Sequence, residues 1–333
     1  MNDLNKADLS AVSSDVQVTA SNLVELKYSL DRAARTRPKD LTPDLHGPMG
    51  SGEYGPLLGS SFLSSIIPFL PSNLSHMPFQ PMLVPTKHVF GCSWRWWPEH
   101  LDPKDEENVQ KHIFSEHGLA RTGYFFYPEL GLFTAGEGKN RVNYCRERGI
   151  KWIPADVAIN HYPSAERIKL IVMEIAGGID VWAVCDDRYL QKVTHYGYAM
   201  PLLKAYGVSI LDKWPKHLPP PDYVLQTSSE LGYEKKIFMK PVIDLQKAGK
   251  AKEHFQAGEK YVRTSLININ LQNRLWIVLY TGLALIAGAI MSSINNEIIS
   301  LLGYLLISFS AGVYAVLCAP VFTVKRKWME SWK

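Results

Sequence analysis

The chain has 333 residues, with 36 Lys and Arg against 32 Asp and Glu, a formal charge of +4. That balance is too mild to argue by itself for nucleic-acid binding. The four cysteines (Cys92, Cys145, Cys185, Cys318) form no CxxC pair, which excludes a disulfide framework and a zinc-finger spacing and points to a reducing compartment. The average composition is that of a soluble protein, yet from position 275 to 324 charge nearly vanishes. The opening stretch from Met1 to Asp8 is polar and no apolar core follows, so no secretory signal is expected.

Residues 1–86 read as a polar, Pro/Gly/Ser-rich arm. Leu23, Leu26 and Leu30 fall on one helical face within it. Phe62–Leu70 is apolar but too short to span a membrane, and Pro68 breaks it. It is expected to pack on the domain or on a partner, with an interfacial or re-entrant segment as the alternative. A compact α+β domain is expected over 88–213. Phe90–Trp97 is dense in aromatics around Arg95. Burial is the expected fate of these rings, and a stacking platform is the alternative. Asp102–His117 predicts a helix: Asp102 caps it, Pro103 suits its first turn, and Asp105, Glu106 and Glu107 sit where the dipole favours negative charge.

Tyr124–Val157 carries the most chemistry. Gly131–Thr134 predicts a strand, Gly136 and Gly138 a turn, Asn140–Arg148 a helix, Gly149 its C-terminal cap, and Ile150–Ile159 a second strand. A strand, a glycine turn and a helix start make an anion site, because free N–H groups and the dipole both favour negative charge there. Lys139 and Arg141 add two cations, and Arg141 suits bidentate phosphate contact. The spacing fits neither a Walker A loop nor a dinucleotide fingerprint.

The unit resembles the ParB/sulfiredoxin-like superfamily. Glu137–Gly138–Lys139–Asn140–Arg141 matches that family's turn, Gly149 its helix end, and Ile153–Pro154–Ala155–Asp156–Val157 its following strand. The resemblance implies a small mixed-sheet domain. It also implies phosphate or nucleotide contact through Gly136, Glu137, Gly138, Lys139, Asn140 and Arg141, with a nucleotide and magnesium as the implied cofactor. Glu137 and Asp156 are the candidates for acid/base or metal work. Sulfiredoxin's cysteine lies within its turn, whereas no cysteine lies between Gly136 and Arg141 and Cys145 is a turn further on. Sulfiredoxin chemistry is therefore not implied. No helix-turn-helix follows, so nucleic acid is a partner only by analogy.

Arg167–Glu174 and Ile179–Cys185 predict a hairpin around Gly177–Gly178. Asp186 and Asp187 could hold a metal with Asp156 if the three converged, but a helix cap is the simpler reading, with Arg188–Tyr196 as the helix. His195 is a lone histidine with no catalytic constellation around it. Residues 214–244 read as a Pro-rich linker, and 245–274 as a basic juxtamembrane helix able to attract anionic lipid headgroups.

Two uncharged runs, 275–294 and 298–324, predict a two-helix transmembrane hairpin joined at Asn295–Glu297. Lys260, Arg263 and Arg274 precede it, and the basic tail 325–333 follows. Both termini are therefore expected in the cytoplasm, on a bacterial inner membrane. Trp276, Trp328 and Trp332 would sit at the interface. Ala284, Gly288, Ser308 and Gly312 offer small faces for contact within the hairpin, for self-association or for a partner membrane protein. The expected function is a membrane-anchored, ParB-like phosphate- or nucleotide-binding module, regulatory or associated with mobile elements. A phosphotransferase or nuclease on the same fold, or a non-catalytic assembly subunit, are the alternatives.

Overall fold

The computed structural model describes residues 4–36, 45–46, 57–72, 78–92, 101–175, 177–224, 237–269, 274–320 and 322–329. The tryptophan cluster at 93–100, much of the Pro/Gly-rich stretch and Trp332 lie outside these residues. The chain divides into two compact units, Met1–Ala248 and Gly249–Lys333.

The first unit begins with α1 (Ser14–Thr36) and α2 (Gly59–Ile66), then β1 (Gln80–Pro85) and β2 (Val89–Phe90). There follow α3 (Pro103–Ile113), α4 (Glu116–Leu119), β3 (Gly123–Tyr127), β4 (Leu132–Glu137), α5 (Lys139–Glu147) and β5 (Trp152–Ile159). Then come β6 (Ile168–Ile175), β7 (Gly178–Cys185), β8 (Tyr189–Lys192), α6 (Tyr196–Tyr206), β9 (Ser209–Leu211) and β10 (Ile243–Asp244). The fold class is mixed α+β.

Two five-stranded sheets result. The first has the order β1-β5-β3-β4-β2 and the second β10-β8-β7-β6-β9. In the first sheet β3 and β4 form an antiparallel hairpin, while β3 runs parallel to β5. The β4–α5–β5 connection therefore passes over β3. Phe133, Ala135, Ile153, Ala155 and Val157 pack beneath Val142 and Cys145 of α5, which fixes the helix on that face. The second sheet buries both faces: Leu170 and Ala183 join a core with α1, α2 and α6, and Ile171, Trp182 and Val184 join another.

Several expectations change. The arm packs on the domain, one of the two expected outcomes, but its described residues are not irregular. Val16, Leu23 and Val24 of α1 and Phe62, Leu63 and Ile66 of α2 are core residues, and β1 is an edge strand of the first sheet. Their apolar side chains gain more by burial against the sheets than a free arm could. The helix expected over 102–117 is broken. Asp102 caps α3 as expected, accepting from the Lys104 and Asp105 N–H groups. Ser115 then caps a new helix by accepting from the Gly118 N–H.

The helix expected over 188–196 is instead strand β8. Asp186 and Asp187 occupy positive φ (56° and 51°) in the turn that returns the chain to the sheet. Helix α6 starts later and includes both Gly197 and Pro201. The linker's far end is structured too, since Val242 and Ile243 are buried and β10 pairs with β8.

In the second unit the expected basic helix ends early. Helix α7 (Leu245–Glu259), which begins in the first unit, gives way to β11 (Tyr261–Thr264). Helices α8 (Arg274–Ser292) and α9 (Glu297–Cys318) follow, then β12 (Phe322–Lys325). The second apolar run therefore stops being helical at Cys318. Among the described residues, α9 is the one helix long and apolar enough to cross a membrane, with a mean hydropathy of 2.0. Helix α8 is apolar over the shorter stretch Trp276–Ser292.

The two helices pack closely at Gly288 and Gly303. A Cβ on Gly303 would lie 2.5 Å from the Ser292 nitrogen and 2.7 Å from the Gly288 oxygen, so only glycine fits. Tyr314 adds a hydroxyl bond to the Val278 carbonyl at 3.1 Å. Gly288 thus serves the contact as expected, while Ser308 and Gly312 are exposed on the other side of α9 and Ala284 is half-buried.

Candidate functional site

The Glu137–Arg141 turn is built by the first sheet. Strand β4 ends at Glu137, and Gly138 turns the chain with φ 74°. A Cβ there would lie 2.9 Å from Thr122 Cγ2, so the position is glycine for both conformation and space. Tyr124 of the adjacent strand, fully buried, donates its hydroxyl to the Gly138 carbonyl at 3.4 Å. Helix α5 starts at once, and its first N–H groups are among those a helix leaves without internal partners.

This turn borders a cavity of about 580 Å³, within the range that holds small ligands. Leu101, Val109, Ile113 and Tyr144 supply an apolar wall. His112 and Arg121 join Lys139 and Arg141 on its polar side, with Asn140 beside them, and Glu137 is the one acidic residue lining it among the described residues. His112 is exposed at the edge of the cavity, and slight desolvation there, together with the nearby Arg141, His117 and Arg121 charges, lowers its pKa. Its imidazole already senses an excess of positive charge.

The charge pattern along α5 runs against helix electrostatics. Its first turn holds Lys139 and Arg141 and no acid, although a helix N-terminus favours negative charge. At the other end the cations are paired: Arg146 with Glu25 at 2.8 Å, and Arg148 with Glu106 through two donors. Among the described residues, neither Lys139, Arg141 nor Arg121 has a carboxylate within ion-pair distance. Arg141 Nη1 is buried without a hydrogen-bond partner. An anion in the cavity would satisfy all three cations and the helix start together.

Of the residues singled out in the sequence, Glu137, Gly138, Lys139, Asn140 and Arg141 line this cavity. Gly136, one residue earlier in β4, does not. Asp156 is also elsewhere. It sits half-buried on β5, its N–H donates to Thr122 Oγ1 at 2.8 Å, and burial raises its carboxyl pKa. Asp186 is engaged by Arg167 and Asp187 by Lys169, each at 2.7–2.8 Å, so the three aspartates do not converge. Among the described residues no group of three or more His, Cys, Asp or Glu could hold a metal. Cys145 is fully buried on α5, and burial pushes its thiol up to about 12, which leaves no thiolate for chemistry.

Sequence reasoning missed His112 and Arg121. They lie 25 and 16 positions before Glu137, on α3 and on the link to β3, and no spacing rule ties them to the turn. The one available hint was a basic last turn on α3. No family model matches the chain, and no curated protein or solved structure does so either.

Proposed function

We propose that the cavity beside the Glu137–Arg141 turn binds the phosphate of a nucleotide or a related anion, in a ParB/sulfiredoxin-like module tethered to a membrane by α8 and α9. One observation carries the binding reading: Arg121, Lys139 and Arg141 converge on a single cavity at a helix N-terminus, and among the described residues none of them has a carboxylate within ion-pair distance. A protein gains no stability from that arrangement, and an anion supplies the missing partner. The fold resemblance is supported by the order β4, glycine turn, α5, Gly149 and β5 with Pro154. The tether reading is supported by the apolar character of α9 and of most of α8, and by the exposed Leu283, Ile286, Ile290, Leu305 and Phe309 on their outer faces. With Glu297 at the connection and basic residues at both outer ends, the chain would enter and leave on the cytoplasmic side.

Titration calorimetry of the full chain in detergent against ATP, CTP and inorganic phosphate tests the reading. Binding that weakens at least about tenfold in Arg141→Ala supports it, and no binding of any of the three refutes it. A catalytic version, phosphotransferase or nuclease, is favoured by one feature, the carboxylate of Glu137 on the cavity wall. Magnesium-dependent turnover lost in Glu137→Gln would select that version over a purely binding module.

A further inference from the structure

We propose that the β11–β12 ribbon is a seat for anionic phospholipid headgroups, a second phosphate site distinct from the cavity. The inference rests on the reading of α8 and α9 as membrane helices.

The chain after α9 does not trail away as a charged tail. It folds back as β12 and pairs antiparallel with β11, with Tyr261 opposite Lys325 and Arg263 opposite Thr323. Strand alternation then separates two faces. Tyr261, Arg263, Thr323 and Lys325 share one face, on which Tyr261 is 68% exposed. Val262, Thr264, Phe322 and Val324 share the other and are buried or half-buried. Arg263 and Lys325 are diagonal neighbours, a spacing of roughly 7–8 Å that lets both side chains reach one phosphodiester. Arg263 is held in place by a bond from its Nε to the Pro320 carbonyl at 2.6 Å.

Charge and aromatic placement agree with a headgroup layer. Lys260, Arg326 and Lys327 flank the ribbon, and among the described residues Glu259 is the acid paired with Lys325 and Lys327. Those bonds raise the pKa of Lys325 and lower that of Glu259, so both stay charged at neutral pH. Exposed Trp328 follows the ribbon, and the exposed, stacked rings of Trp276 and Tyr280 open α8. Basic residues and amphipathic rings at one end of an apolar helix pair match the chemistry of an anionic membrane surface. Since β11 precedes α8 and β12 follows α9, one ribbon gathers the cations from both flanks.

The test uses the full chain in neutral detergent micelles at low salt, doped with phosphatidylglycerol or with phosphatidylcholine. The expected result is a thermal midpoint raised by roughly 5 °C with the anionic lipid alone. That rise should disappear in the triple variant Arg263→Gln/Lys325→Gln/Arg326→Gln. Retention by the triple variant of phosphate binding at the cavity and of wild-type helical circular dichroism shows that it is folded. Equal shifts with the two lipids, a full shift in the triple variant, or the same ribbon-dependent shift with soluble glycerol phosphate would each overturn the proposal. Alkaline extraction of the chain from vesicles separates the two readings. Release of the wild type refutes the tether, whereas retention with no lipid selectivity refutes the headgroup seat alone.

Discussion

The two sheets of the first unit treat their cations in opposite ways. Around the second sheet, Arg167 pairs with Asp186, Lys169 with Asp187, Arg188 with Asp244 and Lys192 with Asp180. Around the start of α5 on the first sheet, Arg121, Lys139 and Arg141 meet a cavity with no such partners among the described residues. The residue types are the same, so composition does not separate the two regions. The second sheet uses positive charge for structure, whereas the start of α5 on the first leaves it without ion-pair partners among the described residues, and uncompensated charge at a concave site is a mark of function.

Deleting one cation from each side separates the two roles. Arg188→Ala leaves Asp244, which is 4% exposed, with an unpaired charge, and should lower unfolding stability by about 2 kcal/mol. It should leave phosphate binding unchanged. Arg141→Ala should do the reverse, weakening phosphate binding by roughly 10- to 100-fold with little change in thermal midpoint. If both variants lose stability alike and neither loses binding, the distinction between the sheets fails.

The positive charge at the cavity should also show in the pH dependence of binding. The His112 pKa lies below its ordinary value because of slight desolvation and the neighbouring Arg141, His117 and Arg121 charges. In the free protein the unfolded chain therefore takes up this proton first as pH falls, and His112 withdraws stability below its usual titration range. A bound anion offsets the neighbouring cations and raises that pKa again. Phosphate binding should then take up a proton and tighten as pH falls through the titration range of His112. Calorimetry in buffers of different ionisation enthalpy would detect the proton, and His112→Gln should abolish the uptake.

The smallest expected effect is the most diagnostic. Arg121→Gln relieves like-charge repulsion and should raise the thermal midpoint slightly, by about 0.5 kcal/mol or less in stability, while weakening phosphate binding. A gain in stability joined to a loss of binding is expected only where charge is held for a ligand. A neutral or destabilising result with intact binding would place Arg121 outside the site.

Local signals in the chain were enough for the turn and its helix. A glycine turn, an apolar run before it and Gly149 after it specify the order β4, α5 and β5, because turn chemistry and periodicity act over a few positions, although β4 runs on to Glu137 and takes in Gly136. The Gly177–Gly178 hairpin and the apolar runs that became α8 and α9 were legible for the same reason. Boundaries and side-chain partners were not. The role of β8 as a strand depended on an edge of β7 that needed pairing, which overrode a segment readable as helix. Ser308 and Gly312 carried the small-residue pattern, but contact fell to Gly288 and Gly303, because the connection between the helices sets which faces meet.

By itself, then, the sequence determined a glycine turn with two cations at a helix start, and an apolar C-terminal segment flanked by basic residues. Each is a property of neighbouring positions. Only the tertiary structure decided that His112 and Arg121 would reach that turn, that Asp156 would not, and that the tail would fold back onto β11. These outcomes depend on sheet order and strand register, which bring together residues that no local pattern connects.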